Sequence, residues 1–455
     1  MALSDVELKE VWIRNFKSLK DVHVRLGRFN LLIGPNRAGK TNFLEALDLL
    51  RAIYFPRPGS EQINPFLKWW GYNTIVWRRD ETLPITIGLL LDVMGYEVVF
   101  ETTFTGIGGA LRLLKEILEI KDTVRLEKEG RLLRVRHNQD FLDRAWEKIM
   151  KMREEPLEIT TGVLMWPEWR RLTEIGKENL IDYTVEINER ESLLKETASA
   201  AYIRDIGIIS ILLEAGRRAV VLSPALTKVD MTGKTTIEPL LWVARNAIHE
   251  LLSRTLLLRP VETRRLREHL SKPVKEMRLL EDASNLYNIL YTLFLNRRGH
   301  LPERVETALR DIFGSDISVA FDLTADGRIF MRVYEGDLPL DPPMISDGFY
   351  KTLVILTAIE TKPSILAIDE LENSLHLEAI ERILDELMSA DCIVVATTHS
   401  PLVIDRVDPR DVIFVERDEE GATVMKRVPD PEALKRRLAE YGITLSEGWL
   451  YGRIV

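Results

Sequence analysis

Residues Gly34-Pro35-Asn36-Arg37-Ala38-Gly39-Lys40-Thr41 place two glycines, an ammonium and a hydroxyl in the order that a phosphate-binding loop requires. Glycine lets backbone N–H groups curl around phosphate oxygens, and the N-terminus of a following helix adds a favourable dipole. Lys40 is suited to neutralise β- and γ-oxygens, and the Thr41 hydroxyl to take a Mg²⁺ coordination position. A second run, Ile365-Leu366-Ala367-Ile368-Asp369-Glu370, delivers two carboxylates at the end of an apolar strand. Such strand ends are common alone. Beside the loop, Asp369 becomes the expected Mg²⁺ holder, directly or through water, and Glu370 the group that polarises the water attacking a γ-phosphate. A third apolar run, Ile393 to Ala396, leads into Thr397-Thr398-His399-Ser400-Pro401. His399 there either meets the γ-phosphate or the attacking water, or is satisfied in the turn before Pro401. Ser346-Asp347-Gly348 opens a helical segment, where Ser346 serves as an N-cap or the helix start serves as an anion site.

These groups need a sheet to hold them. From Leu8 to Ile33 the apolar residues recur in short alternating runs, read as two or three strands that feed the loop, and Phe43 to Leu50 is the amphipathic helix behind it. Residues 84–105 read as a hairpin turned at Gly95, and 123–136 as another turned at Gly130. From about 141 the pattern turns helical and charged, broken at Pro167, Pro224, Pro260 and Pro273, with no sustained heptad run. Strands return at Ile317 to Leu323, Ile329 to Val333, Ile365 to Ile368 and Ile393 to Ala396, with a helix over 347–360. The chain therefore divides into 1–140 (loop and β layer), 141–314 (an inserted, mainly helical region) and 315–455.

A chain of 455 residues exceeds what one core usually supports, and 45% apolar with 29% charged residues is the balance of a soluble globular protein. No run approaches the ~20 apolar residues of a membrane helix. The most apolar stretch, Ile206 to Leu213, reads as a buried helix or strand, and the N-terminus lacks the order of a signal peptide, so a cytoplasmic location is expected. Cys392 lies in an apolar run and reads as a buried, inert thiol. Gln62 and Gln139 are the only glutamines among abundant Glu, Lys and Arg, a drift that suggests a thermophilic source. A net charge of −9 confines any nucleic-acid grip to a patch. Candidate patches are Arg264, Arg265, Arg267, Lys272 and Lys275, and Arg131, Arg134 and Arg136, each of which is alternatively a solvated face. Trp69-Trp70 and the pair Trp166 and Trp169 read as core before stacking platforms.

The order of segments resembles the ABC-type ATPase heads of the SMC, RecF and OLD-like group. The resemblance rests on Ile13-Arg14-Asn15-Phe16-Lys17-Ser18-Leu19, on Lys40-Thr41-Asn42, on the Ser346-Asp347-Gly348 helix, on Asp369-Glu370 with Asn373-Ser374-Leu375-His376 behind it, and on Thr398-His399-Ser400-Pro401. Glu281-Asp282-Ala283-Ser284-Asn285-Leu286 is similar to the segment before the signature helix of RecF-like members. It implies an α/β P-loop fold with a mixed sheet, an antiparallel β layer and an inserted helical region. It also implies ATP and Mg²⁺ as cofactors and a homodimer that sandwiches two ATP molecules, each phosphate loop facing the other protomer's Ser346 segment. Arg14, Asn15, Phe16 and Lys17 are then expected near adenine or ribose, Asn36 to Asn42 and Ser346 to Gly348 on nucleotide, and Asn373 to His376 across the dimer interface. Arg37 departs from the small residue usual at its position, and His376 from the Asp of SMC heads.

The function expected is ATP hydrolysis coupled to head dimerisation and to action on DNA, in maintenance, repair or defence. The alternative is an ATP-gated scaffold for a separate nuclease or toxin partner. A transporter motor fits poorly, since Ser346-Asp347-Gly348 stands where transporters carry a glycine-pair-glutamine signature.

Overall fold

The computed structural model describes residues 6–57, 60–138, 180–186, 192–194, 237–268 and 270–452. The chain forms two compact units, one from Met1–Asn15 with Ile53–Glu250, the other from Phe16–Ala52 with Leu251–Val455.

The first unit is built on antiparallel strands that run Val6–Phe16, Ile85–Val93, Tyr96–Thr105, Arg112–Ile120, Val124–Glu129, Leu132–Asn138 and Leu180–Glu186 in spatial order. Alternation makes them strands: along Tyr96–Thr105 the buried positions are Val98, Phe100, Thr102 and Phe104, one face of a pleated ribbon. Both hairpins turn where glycine takes positive φ, at Gly95 (86°) and Gly130 (57°). The strand Leu180–Glu186 falls inside 141–314, and helix Ile237–Ser253 follows it in the same stretch. Trp166, Trp169 and the run 206–213 lie outside the described residues. Trp69 is buried, whereas Trp70 is 92% exposed. One carboxylate is fully buried among the described residues of this unit: Glu116 accepts from the Tyr54 hydroxyl at 2.8 Å, the Ser192 hydroxyl at 2.8 Å and the Leu193 N–H at 3.3 Å. Those donors offset its desolvation, which pushes its pKa upward.

The second unit holds a sheet ordered Leu256–Leu258, Ile365–Ile368, Ile393–Thr398, Phe29–Ile33, Val412–Arg417 and Thr423–Arg427. All neighbours are parallel except the last pair. The central strands Phe29–Ile33, Ile365–Ile368 and Ile393–Thr398 are buried at every position, as continuous apolar runs in a covered parallel sheet should be. Helix Asp347–Glu360 is buried along nearly its whole length and packs against helices Leu286–Asn296, Glu303–Phe313 and Leu377–Met388. A three-stranded antiparallel sheet, Ile317–Leu323, Ile329–Glu335 and Leu338–Leu340, completes the unit. Cys392 is buried here, and burial pushes its thiol up to about 12. The register decides where chemistry can occur. Ile368 pairs with Ala396, while Ile33 pairs with both Thr398 and Phe414, so these strands end along one carboxyl edge of the sheet, the edge at which such folds bind ligands. Among the described residues, no helix is long and apolar enough to cross a membrane.

Candidate nucleotide-binding site

The loop leaves strand Phe29–Ile33 and enters helix Lys40–Tyr54. Its glycines are sterically required. A Cβ on Gly34 would stand 2.0 Å from the Val415 carbonyl oxygen, and one on Gly39, at φ +115°, would stand 2.1 Å from Thr423 Oγ1. Arg37 adopts φ 67°, a left-handed conformation that costs a side-chain-bearing residue ~1–2 kcal/mol.

Side chains from outside the loop hold it. Arg417 Nε donates to the Arg37 carbonyl at 2.7 Å, and the Thr423 hydroxyl donates to the Ala38 carbonyl at 2.7 Å. That assignment makes the Ser18 hydroxyl the donor to Thr423 Oγ1 (2.7 Å), while Asn42 Nδ2 donates to Ser18 Oγ (2.7 Å). A relay of four side-chain and backbone groups thus fixes the loop between its own helix and a distant hairpin.

Lys40 is buried, and its Nζ donates to the carbonyls of Gly34 at 2.8 Å and Pro35 at 3.1 Å. Burial lowers its pKa to about 8, against the upward pull of Asp369, Glu372 and Glu370. The Thr41 hydroxyl donates to Asp369 Oδ1 at 3.0 Å. Thr397 donates its hydroxyl to the same oxygen at 2.8 Å and accepts the Glu370 N–H at 2.8 Å. Glu370 sits at φ 51°, a strained conformation of the kind that concentrates at functional sites. Glu372 grips the end of the next strand, taking the His399 N–H at 2.7 Å and the Thr398 hydroxyl at 2.8 Å. Burial first and Lys40 second lower the His399 pKa, so the imidazole is neutral at pH 7. These groups enclose a cavity of about 380 Å³ lined by residues 36–42, Asp369, Glu370, Thr397, His399 and Arg417. Thr41 Oγ1 and the Asp369 carboxylate are hard oxygen donors on its wall, the donor type that Mg²⁺ takes.

Other predicted residues lie elsewhere. Ser346 is an N-cap whose Oγ accepts the Phe349 N–H at 3.2 Å. The Asp347 carboxylate receives Thr263 Oγ1 and Arg267 Nη2, both at 2.5 Å, which hold its pKa down. A Cβ on Gly348 would approach the Ser374 carbonyl to 3.0 Å, so the Ser346 segment abuts the loop at 373–376 within one chain. Phe16 is fully buried, and Lys17 pairs with Glu45. None of these lines the cavity. Asn15 Nδ2 donates to the Pro84 carbonyl at 2.9 Å, and Arg14 is exposed. Of the basic cluster, Arg264 pairs with Glu268, Arg265 with Glu262 and Arg267 with Asp347. Sequence reasoning gave no role to Thr397, Glu372 or Arg417. Two threonines closing an otherwise apolar strand were the one available signal.

Two family models match the chain: an "AAA ATPase domain" over residues 7–68, and an "AAA domain, putative AbiEii toxin, Type IV TA system" over residues 236–405. Both matched segments are thus segments of ATPase-domain families, and they contain the loop at 34–41 and the acidic strand end at 369–370. An OLD nuclease of Thermus scotoductus is 41% identical over 49 residues, which are 11% of this chain and 9% of that protein. Among solved structures, an Smc head domain with an extended coiled coil, bound to the C-terminal domain of ScpA from Pyrococcus furiosus, superposes with a TM-score of 0.44 at 12% identity, covering 96% of this chain and 99% of that one. An SmcHead bound to the C-winged helix domain of ScpA gives 0.42 at 10% identity, covering 94% and 99%.

Proposed function

We propose that this protein binds ATP with Mg²⁺ and hydrolyses it as an SMC/RecF-like head. The observation that carries the reading is the hydrogen bond from Thr41 to Asp369, which joins the two ATPase-matching segments in one cavity. Lys40 and the loop amides bind the phosphates. Thr41 and Asp369 would hold Mg²⁺, which when bound neutralises charge on the β- and γ-oxygens. Glu370, on the same wall, accepts the proton of the attacking water, and His399, neutral and held by its backbone to Glu372, orients that water or the γ-phosphate. Ser346-Asp347-Gly348 lies off this cavity, which supports a role in closing the site of a second protomer: an ATP-dependent homodimer around two nucleotides.

Action on DNA in maintenance, repair or defence is one output of such a dimer. The other is an ATP-gated scaffold for a separate nuclease or toxin chain. The pairing of Arg264, Arg265 and Arg267 with carboxylates supports the second, because it leaves that cluster few free cations for a phosphate backbone. A cytoplasmic location belongs to the same proposal. The deciding experiment is phosphate release from ATP by the purified chain with and without Mg²⁺, alone and with duplex DNA. Release that is Mg²⁺-dependent and lost in Lys40→Ala supports the site. Equal release from Lys40→Ala overturns it.

A further inference from the structure

We infer that Arg417 is a nucleotide-binding residue, a cation brought to the polyphosphate from the far hairpin of the sheet; this rests on the reading of the cavity as an ATP site. Strand Val412–Arg417 runs parallel to the strand that feeds the loop, and its last matched pair there is Phe414 with Ile33. Arg417 therefore extends three residues past that point, alongside residues 34–39. Close packing fixes this placement, since Val415 O already fills the space beside Gly34. The hydrogen bond from Nε to the Arg37 carbonyl at 2.7 Å employs one of the guanidinium's five N–H groups, and Arg417 is among the residues that line the cavity.

Charge directs those N–H groups toward an anion. Arg417 is exposed, and neither it nor Arg37 pairs with a carboxylate among the described residues, in a unit where many arginines are so paired. Together with Lys40, the cavity wall carries three cations against Asp369 and Glu370. Asp369 is already engaged by Thr41 and Thr397. A planar guanidinium beside a phosphate loop suits bidentate contact with phosphate oxygens. A ligand with a triphosphate is the chemistry that matches this excess. Arg417 and Thr423 hold successive loop carbonyls, so one hairpin both shapes the loop and contributes to its ligand.

The test is equilibrium binding of a fluorescent ATP analogue across a salt series, using the full chain and its Lys40→Ala, Arg417→Ala and Arg417→Lys variants. Expected are binding by the native chain, none by Lys40→Ala, and at least a ~10-fold loss in Arg417→Ala. The salt dependence of that variant should be shallower, and Arg417→Lys should restore the slope, because it keeps the charge. Native affinity in Arg417→Ala, or weakened affinity with an unaltered salt slope, overturns the inference and leaves Arg417 a prop for the loop. Absence of binding by the native chain overturns the ATP-site reading and this inference with it.

Discussion

Thr397 and Asp369 share a buried hydrogen bond of 2.8 Å between neighbouring parallel strands, and the same hydroxyl accepts the backbone N–H of Glu370. One threonine thus fixes both acidic residues. Thr397→Val keeps the shape and removes the hydroxyl, leaving the Glu370 N–H unsatisfied. A stability loss of ~1–3 kcal/mol in urea unfolding is expected, together with lower ATP turnover. Thr397→Ser should recover both.

Arg37 sets stability against binding. Arg37→Gly relieves the left-handed strain at φ 67° and should raise the unfolding free energy by up to ~1 kcal/mol. The same change removes a cation from the cavity, so ATP affinity should fall. A stability gain accompanied by unchanged affinity would show that the Arg37 charge is irrelevant to the nucleotide.

Lys351, buried on helix Asp347–Glu360, has its pKa lowered to about 8, chiefly by burial, with Glu372, Asp369 and Glu370 pulling upward. Unfolding returns it to its ordinary 10.5. Below about 8 both states are protonated and the folded state bears the full burial cost. Between about 8 and 10.5 the unfolded state binds more protons, so stability rises with pH. Lys351→Met should be more stable at pH 7 and show a shallower rise over that window in denaturant titrations.

Glu370→Gln should bind ATP, lose turnover by a factor on the order of a hundred or more, and accumulate as a dimer. Adding Ser346→Arg should return it to monomer with ATP affinity nearly intact. Light scattering with and without ATP reads both. A Glu370→Gln protein that stays monomeric at saturating ATP excludes the two-headed sandwich.

Much of the site's scaffold was legible because its signals are contiguous. An apolar run, a glycine loop and an amphipathic helix follow one another over residues 29–54, and the strand Ile365–Ile368 ends at the two acids the sequence shows there. The hairpins at Gly95 and Gly130 and the helix 347–360 were readable for the same reason. What escaped depends on long-range pairing. Arg417 meets Arg37 across 380 positions, at the end of a strand that carries no motif. Arg267 finds Asp347 across 80 positions, where the sequence displays only a basic cluster among glutamates. Strand Leu256–Leu258 has three residues, too few to reveal a period. Glu372 carries no sequence signal of its own, since nothing local shows that its carboxylate turns back to the His399 N–H.

Strand Phe29–Ile33 lies in the middle of its sheet, and its two neighbours are residues 393–398 and 412–417. On a ribosome, where residues emerge at ~5–20 per second, this strand waits for residues 34–392 to be made before either edge can be hydrogen-bonded. Contacts of such sequence separation form slowly, and an unpaired apolar strand is an aggregation template in the interval. The arrangement that joins two distant motifs into one site therefore makes its assembly an all-or-none event that waits on residues 393–417, and a chain cut short before residue 393 has a phosphate loop with no sheet to hold it.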